Sequence, residues 1–278
     1  MKNILKIMLM MITIFTIAGS AVYAAEIPVS DQDQLITSSD WTEISNLQDE
    51  MKKEEPDATI DYDKALKVYV DCNLIKLQTA DTKKLTSALE SANYVWVIPF
   101  KMEKTYGMFT VAKGLPLSEE AKSVLTKAEQ EEVKNHAGKW MITETAEHTV
   151  EPYYDILLEK REALSDCTRV VLVGSQPGMR QPVALGMNDE TARIWISLGY
   201  QYPVMEKIPE TQNVESGVYS FDSVAEISDT YIEDSEVSTG AGVQSRSSMK
   251  YVAGIGIVLI GSILIIRVLK KKKIKSED

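Results

Sequence analysis

The chain has 278 residues, 44% of them apolar and 26% charged, with a formal net charge of −11. That length accommodates one or two domains, and the composition is that of a globular protein, not a disordered or fibrous one. Setting aside the nine basic residues of positions 1–24 and 250–278 and the two acids of the tail, 21 basic residues face 39 acidic ones. A net of −18 over the middle of the chain argues against nucleic acid and against anionic lipid as partners.

Lys2 and Lys6 precede an uncharged stretch from Ile7 to Ala18, and small residues follow at Gly19, Ser20, Ala21 and Ala24. This is the outline of a secretory signal peptide over 1–24, cut after Ala24 with Val22 at the −3 position. The alternative is an uncleaved anchor. Residues 25–57 read as a leader with one short helix. Positions 25–39 are polar and uncapped, and then Asp40 and Glu43 frame a helix start whose apolar positions are Trp41, Ile44, Leu47 and Met51. Pro56 closes it.

Positions 58–205 carry the pattern of an extracytoplasmic α+β domain. Leu66, Val68 and Val70 alternate with Lys67 and Tyr69, as in a strand with two unlike faces. A helix capped by Asp81 presents Leu85, Ala88, Leu89 and Ala92 on one side. The run from Tyr94 to Phe100 is apolar on both faces and predicts a covered strand ending near Pro99. Met108 to Ala112 is the next strand. Ser118 caps a single longer helix, with a stripe of Val124, Leu125, Ala128 and Val133, that ends at Gly138. Further strands are expected at 140–143, 169–173, 182–185 and 192–198, with a helix over 154–164 between the first two. Strands joined by short turns, with about three helices and no strict strand–helix alternation, predict a largely antiparallel sheet.

From Glu206 to Ser248, Glu, Asp, Ser, Thr and Gly dominate, which predicts an acidic, solvated stalk. Tyr251 to Ile266 then holds no charge, and Val268 and Leu269 extend the run past Arg267. At 1.5 Å per residue, nineteen residues span about 28 Å, close to the ~30 Å hydrocarbon core. Lys270, Lys271, Lys272 and Lys273 follow at once, placing the basic tail 270–278 in the cytoplasm and the domain outside. The expected localisation is therefore a cell membrane crossed once by residues 250–269. A lipoprotein would need a cysteine at the cut, a GPI signal would end in its apolar tail, and wall sorting would need a Leu-Pro-x-Thr-Gly string. None of these is present. The two ends together resemble those of a Gram-positive surface protein.

Motifs that carry chemistry are scarce. His136 and His148 lack ligand spacing, so no metal site is predicted. No Gly-x-Gly-x-x-Gly or Walker string calls for a nucleotide, and no cofactor is expected. Gly174-Ser175-Gln176-Pro177-Gly178 lacks the Gly-x-Ser-x-Gly spacing and reads as a turn. Cys72 and Cys167 admit two readings. A disulfide would close a loop of about 96 residues and contribute up to ~4.7 kcal/mol; alternatively both are buried thiols, as the phase of Cys72 with Leu66, Val68 and Val70 suggests. For ligand binding the candidates are Trp195 and Arg193, which share a strand face with Ser197, and Tyr69 beside Lys67. If those faces are open they combine aromatic anchors with cations, as interfaces do; if a helix covers them, Trp195 is core. These features predict a non-catalytic binding or accessory protein with a protein partner at the membrane. The alternative is a cell-surface hydrolase using a carboxylate pair among the 39 acids.

Overall fold

The computed structural model describes residues 27–148, 151–174, 176, 179, 181–199, 204–209 and 213–228. Ten strands form one sheet: β1 (Thr59–Ile60), β2 (Leu66–Tyr69), β3 (Tyr94–Lys101), β4 (Tyr106–Lys113), β5 (Trp140–His148), β6 (Arg169–Val173), β7 (Val183–Met187), β8 (Ala192–Ser197), β9 (Asn213–Glu215) and β10 (Val218–Ser220). Their order is β5-β4-β3-β2-β6-β7-β8-β10-β9, with β1 paired to β3. Two antiparallel meanders thus run outward from the centre, where β2 and β6 form the one parallel pair between named strands. The fold is α+β with a mostly antiparallel sheet, and about six α-helices take the place of the three expected: α1 (Trp41–Ile44), α2 (Gln48–Glu54), α3 (Thr82–Glu90), α4 (Glu119–Val124), α5 (Lys127–His136) and α6 (Tyr153–Glu159).

Strand parity sorts the core. Leu66, Val68, Val97, Val170, Leu172 and Ile196 point to one face, under Tyr153, Ile156 and Leu157 of α6. The opposite face has two apolar halves. Tyr69, Val171, Val173, Leu185 and Trp195 meet Leu85 and Leu89 of α3 and Phe221 and Val224. Trp96, Ile98, Phe100, Phe109 and Val111 meet Leu35, Ile44 and Met51. The strand from Tyr94 is apolar on both sides because both sides are covered.

The N-terminal segment is not a loose leader. It forms 3-10 turns at Asp31–Asp33 and Leu35–Thr37 before α1 and α2. Leu35, Ile44 and Met51 have no exposed surface, and burying each such side chain is worth about 1.5–3 kcal/mol. Val29 bridges Val170 and Gln34 bridges Leu66. The segment therefore fills the gap between β2 and β6, whose direct pairing begins only at Val68 and Leu172. Ile44 and Met51 lie on the helical stripe read from the sequence, whereas Leu35 stands in a stretch with no period.

The same correction applies to the start of the stalk. Residues 213–220 form the β9–β10 hairpin, β10 pairs with β8, and residues 221–228 are helical, with Phe221 and Val224 in the core. From residue 229 onward the stalk lies outside the described residues, as do the signal segment and the anchor residues Tyr251, Arg267, Lys270, Lys271, Lys272 and Lys273. Among the described residues no helix is long and apolar enough to cross a membrane.

The helix expected after Ser118 is broken in two. Leu125 is extended, and Thr126 starts α5 with a capping box in which Thr126 and Glu129 satisfy each other's backbone N–H. Val124, assigned to a buried stripe, is 65% exposed, whereas Val133 is buried. The segment that carries α4 and α5 is closed at its neck: the Gly138 N–H donates to the Gly114 carbonyl at 2.8 Å, and the Gly114 N–H donates to the Lys139 carbonyl at 2.9 Å. A Cβ on Gly114 would drive into the backbone carbonyl of His136. Gly114→Ala is therefore expected to cost about 1–3 kcal/mol, read as a lower urea midpoint. An unchanged midpoint would show that the neck yields freely.

Candidate functional site

The most concentrated polar chemistry lies between the two apolar halves of the sheet face, at the N-terminal segment. Asp33 is 2% exposed. Its carboxylate accepts from the Tyr69 hydroxyl at 2.8 Å, from Ser30 Oγ at 2.7 Å and from Arg169 Nη2 at 3.0 Å, with Lys67 Nζ at 3.8 Å. Lys67 sits in an aromatic enclosure, 4.5 Å from the Tyr94 ring centre, 5.2 Å from Trp96 and 5.9 Å from Tyr69. A cation over ring faces is attracted by their negative quadrupoles. Asp40 completes the set by accepting from the Tyr94 hydroxyl at 2.8 Å and from Trp96 Nε1 at 3.0 Å.

Backbone register builds this arrangement. Lys67 pairs with Trp96 and Tyr69 with Tyr94 across β2 and β3, so all four project to one face. Arg169 opens β6 on the same side, and Asp33 and Asp40 come from the segment laid across the strands. Burial raises the pKa of Tyr69, helped by the Asp33 charge, and raises that of Tyr94, helped by its hydrogen bond to Asp40. Burial lowers that of Lys67, against the pull of Asp33 and Asp40. Both phenols therefore stay neutral donors and Asp33 is saturated with donors. The cluster holds itself together and offers no free base.

A folded state that keeps a phenol proton more tightly than the unfolded chain has its full stability below about pH 10 and loses it as pH rises further. Unfolding free energy is expected to fall above pH 10 by up to ~1.4 kcal/mol per pH unit for each such phenol. Lys67 acts in the opposite direction, and comparison with Tyr69→Phe, which retains Lys67, isolates the Tyr69 contribution. Urea titrations between pH 8 and 11 read it out. Equal slopes for the wild type and Tyr69→Phe would refute the assignment.

The residues expected to bind a ligand are not brought together. Trp195 has no exposed surface and stacks on Phe221, with ring centres 5.6 Å apart and planes 12° apart. The expectation of an open aromatic face is thereby corrected: α3 and residues 221–228 cover it. Tyr69 is also buried, at 6% exposure. Arg193 is exposed but does not share the Trp195 face. The register shifts between Gly186 and Met187, pairing Gly186 with Ile194 and Met187 with Ala192. Arg193 is the extra residue of that bulge, which re-aims its side chain.

Cys72 and Cys167 are free thiols in the structure. Cys72 packs with Tyr69 and Leu74, and Cys167 packs on the other face with Leu164 and Val170. The sheet between them corrects the disulfide reading and sustains the buried-thiol one. Burial pushes both thiols up to about 11, so neither is a ready nucleophile.

Beyond the C-terminal ends of β2 and β6, buried Gln176 joins the two following loops. Its Nε2 donates to the carbonyls of Cys72 at 2.6 Å and Gly174 at 2.9 Å, and its Oε1 accepts from Leu74 N at 3.0 Å. An open groove of about 340 Å³ lies nearby between residues 75–80 and 221–228, floored by Ile75, Phe221 and Ala225 and edged by Gln78, Asp222 and Glu226. Among the described residues no group of three or more His, Cys, Asp or Glu is placed to hold a metal ion. Asp33, Asp40 and Gln176 escaped sequence reasoning because their partners are up to 136 positions away. The lysine–tyrosine face of β2 was the one local signal.

Comparison with family models, with curated proteins and with solved structures finds no match to this chain.

Proposed function

We propose that this chain is a membrane-anchored extracytoplasmic binding or accessory protein that holds an acidic α+β domain outside the cell. The observation that carries the reading is the uncharged run Tyr251–Ile266, followed by Arg267 and four consecutive lysines. A helix of that length and flank is retained by the bilayer with its basic end inside. Support also comes from the way the charged and aromatic groups on the central sheet face are consumed by one another. A partner protein is expected to meet the surface.

Affinity capture of the full-length chain from its native membrane after mild crosslinking, beside residues 25–248 alone, tests this. A discrete protein recovered with both forms is the expected result. No reproducible partner with either would overturn the accessory role. One observation favours a second reading, a surface hydrolase: Asp222 and Glu226 share the edge of the groove. Two carboxylates beside a groove are the minimum for acid–base hydrolysis of a glycoside. A glycosidase activity that Asp222→Asn abolishes, without loss of folding, would select that reading.

A further inference from the structure

We infer that the outer edge of β5 is where this domain receives its partner, an extended segment of another protein that bears lysine or arginine and joins the sheet as an added strand. The inference rests on the binding reading above and narrows it to one surface and one class of partner. The strand order ends in β9 on one side and in β5 on the other. β9 is three residues long and offers little to pair with. β5 runs nine residues, from Trp140 to His148, and among the described residues it is paired on one side only. A long row of unpaired N–H and C=O groups at a sheet edge is a template for another strand.

Ladder alternation identifies the groups that face out. The Met102 N–H donates to the Thr105 carbonyl at 2.9 Å and closes the β3–β4 turn; from there every second antiparallel pair exchanges hydrogen bonds. Gly107 and Phe109 therefore turn their backbone groups to β3. Tyr106, Met108 and Thr110 turn theirs to β5, opposite His148, Ala146 and Glu144. Pro99, which has no N–H, fits this phase because it lies opposite Met108. The N–H and C=O groups of Thr145 and Glu147 are left pointing away from the sheet, and the bulge at Thr143 ends this regular stretch.

Acids line the same stretch on both faces. The Thr145 hydroxyl donates to Glu54 Oε2, and Glu147, two residues on, shares that face, with Glu144 on the other. Glu54, Glu144 and Glu147 are exposed, and none of them forms an ion pair among the described residues. Like charges set across a strand pair destabilise it. The row therefore disfavours a second copy of this acidic chain and favours a strand with basic side chains. Main-chain bonds at Thr145 and Glu147 supply the affinity, and the carboxylates select the sequence.

The probe is a dye-labelled peptide of about ten residues, alternating lysine and threonine as an added strand presents them. It is titrated by fluorescence anisotropy against the full-length chain in neutral detergent at low salt. One control replaces lysine with glutamate; the other is methylated on every backbone nitrogen, which keeps the charge and removes the donors. The lysine peptide is expected to bind at least about tenfold more tightly than either control. Thr145→Pro should weaken it about tenfold, because proline deletes an outward N–H and leaves the β4 ladder intact. Glu144→Lys/Glu147→Lys should reverse the preference between the lysine and glutamate peptides, and bound lysine peptide should slow amide exchange over residues 144–148. No binding of the lysine peptide, or equal binding of the methylated one, overturns the inference. Sedimentation of the chain alone tests the rival occupant: a dimer that Thr145→Pro dissociates would assign the edge to a second copy and overturn the inference. The native-membrane capture separates this inference from the reading beneath it. A partner recovered equally with wild type and Thr145→Pro removes the edge and leaves the accessory role standing. No partner, with the peptides behaving as expected, removes the accessory role and leaves the edge as a strand acceptor.

Discussion

Replacing Asp33 with alanine is expected to destabilise the domain by about 3–5 kcal/mol, the range for removing one partner of a buried ion pair. Asp33 is 2% exposed and faces Arg169 at 3.0 Å and Lys67 at 3.8 Å. Its loss leaves two cations facing each other with no carboxylate between them, and strips the Tyr69 hydroxyl of its acceptor at 2.8 Å. Arg169 Nε already has no hydrogen-bond partner among the described residues, so the guanidinium has little to fall back on. A double-mutant cycle gives the sharper test. Lys67→Met removes one stranded charge and keeps the volume and the apolar contacts with the surrounding rings. The loss in Asp33→Ala/Lys67→Met is therefore expected to be smaller than the sum of the single losses. Strict additivity would mean that the cluster is a coincidence of geometry and carries no coupling.

Trp195→Ala should cost about 3–5 kcal/mol, because a fully buried indole is exchanged for a cavity. The ring is stacked on Phe221 and packed in the same cluster as Leu185 and Val224. The substitution also separates the two roles the sequence allowed for this residue. An exposed ligand anchor would lose binding at constant stability; a core residue loses stability first. Trp195→Phe keeps a ring against Phe221 and discards an indole N–H that has no acceptor among the described residues, so most of the loss should be recovered. The urea midpoints of the two variants decide it, and a Trp195→Ala midpoint equal to wild type would place the ring outside the core.

Much of the local structure was legible because its causes are local. Asp81 and Ser118 cap their helices, accepting from the N–H groups of Lys84 and Ala121 at 3.1 Å in each case, as a short acceptor at a helix start does. Alternation in β2 placed Leu66 and Val68 opposite Lys67 and Tyr69. Alternation misled at β8, where a bulge at Arg193 inserts one residue and separates it from Trp195. A bulge answers to the partner strand, which a single stretch of sequence does not display. The helix after Ser118 shows the same limit: its apolar spacing continues through Val124 and Leu125, yet Thr126 and Glu129 offer a second helix start that wins.

What the sequence determined alone is its division by hydropathy and charge: an apolar basic-led start, an acidic middle, and an uncharged run ending in lysines. These are properties of composition over tens of residues and need no fold to be read. The tertiary structure decided which middle residues are inside. Asp33, in a stretch that reads as polar, and Asp40, which reads as a helix cap, are drawn to the sheet because Lys67, Arg169, Tyr69, Tyr94 and Trp96 present charge and hydrogen-bond donors there. Phe221 and Val224, in a stretch that reads as stalk, are buried because β10 pairs with β8 and brings them over Trp195. Burial is a property of what lies opposite, and for these residues the opposite side is distant in the chain.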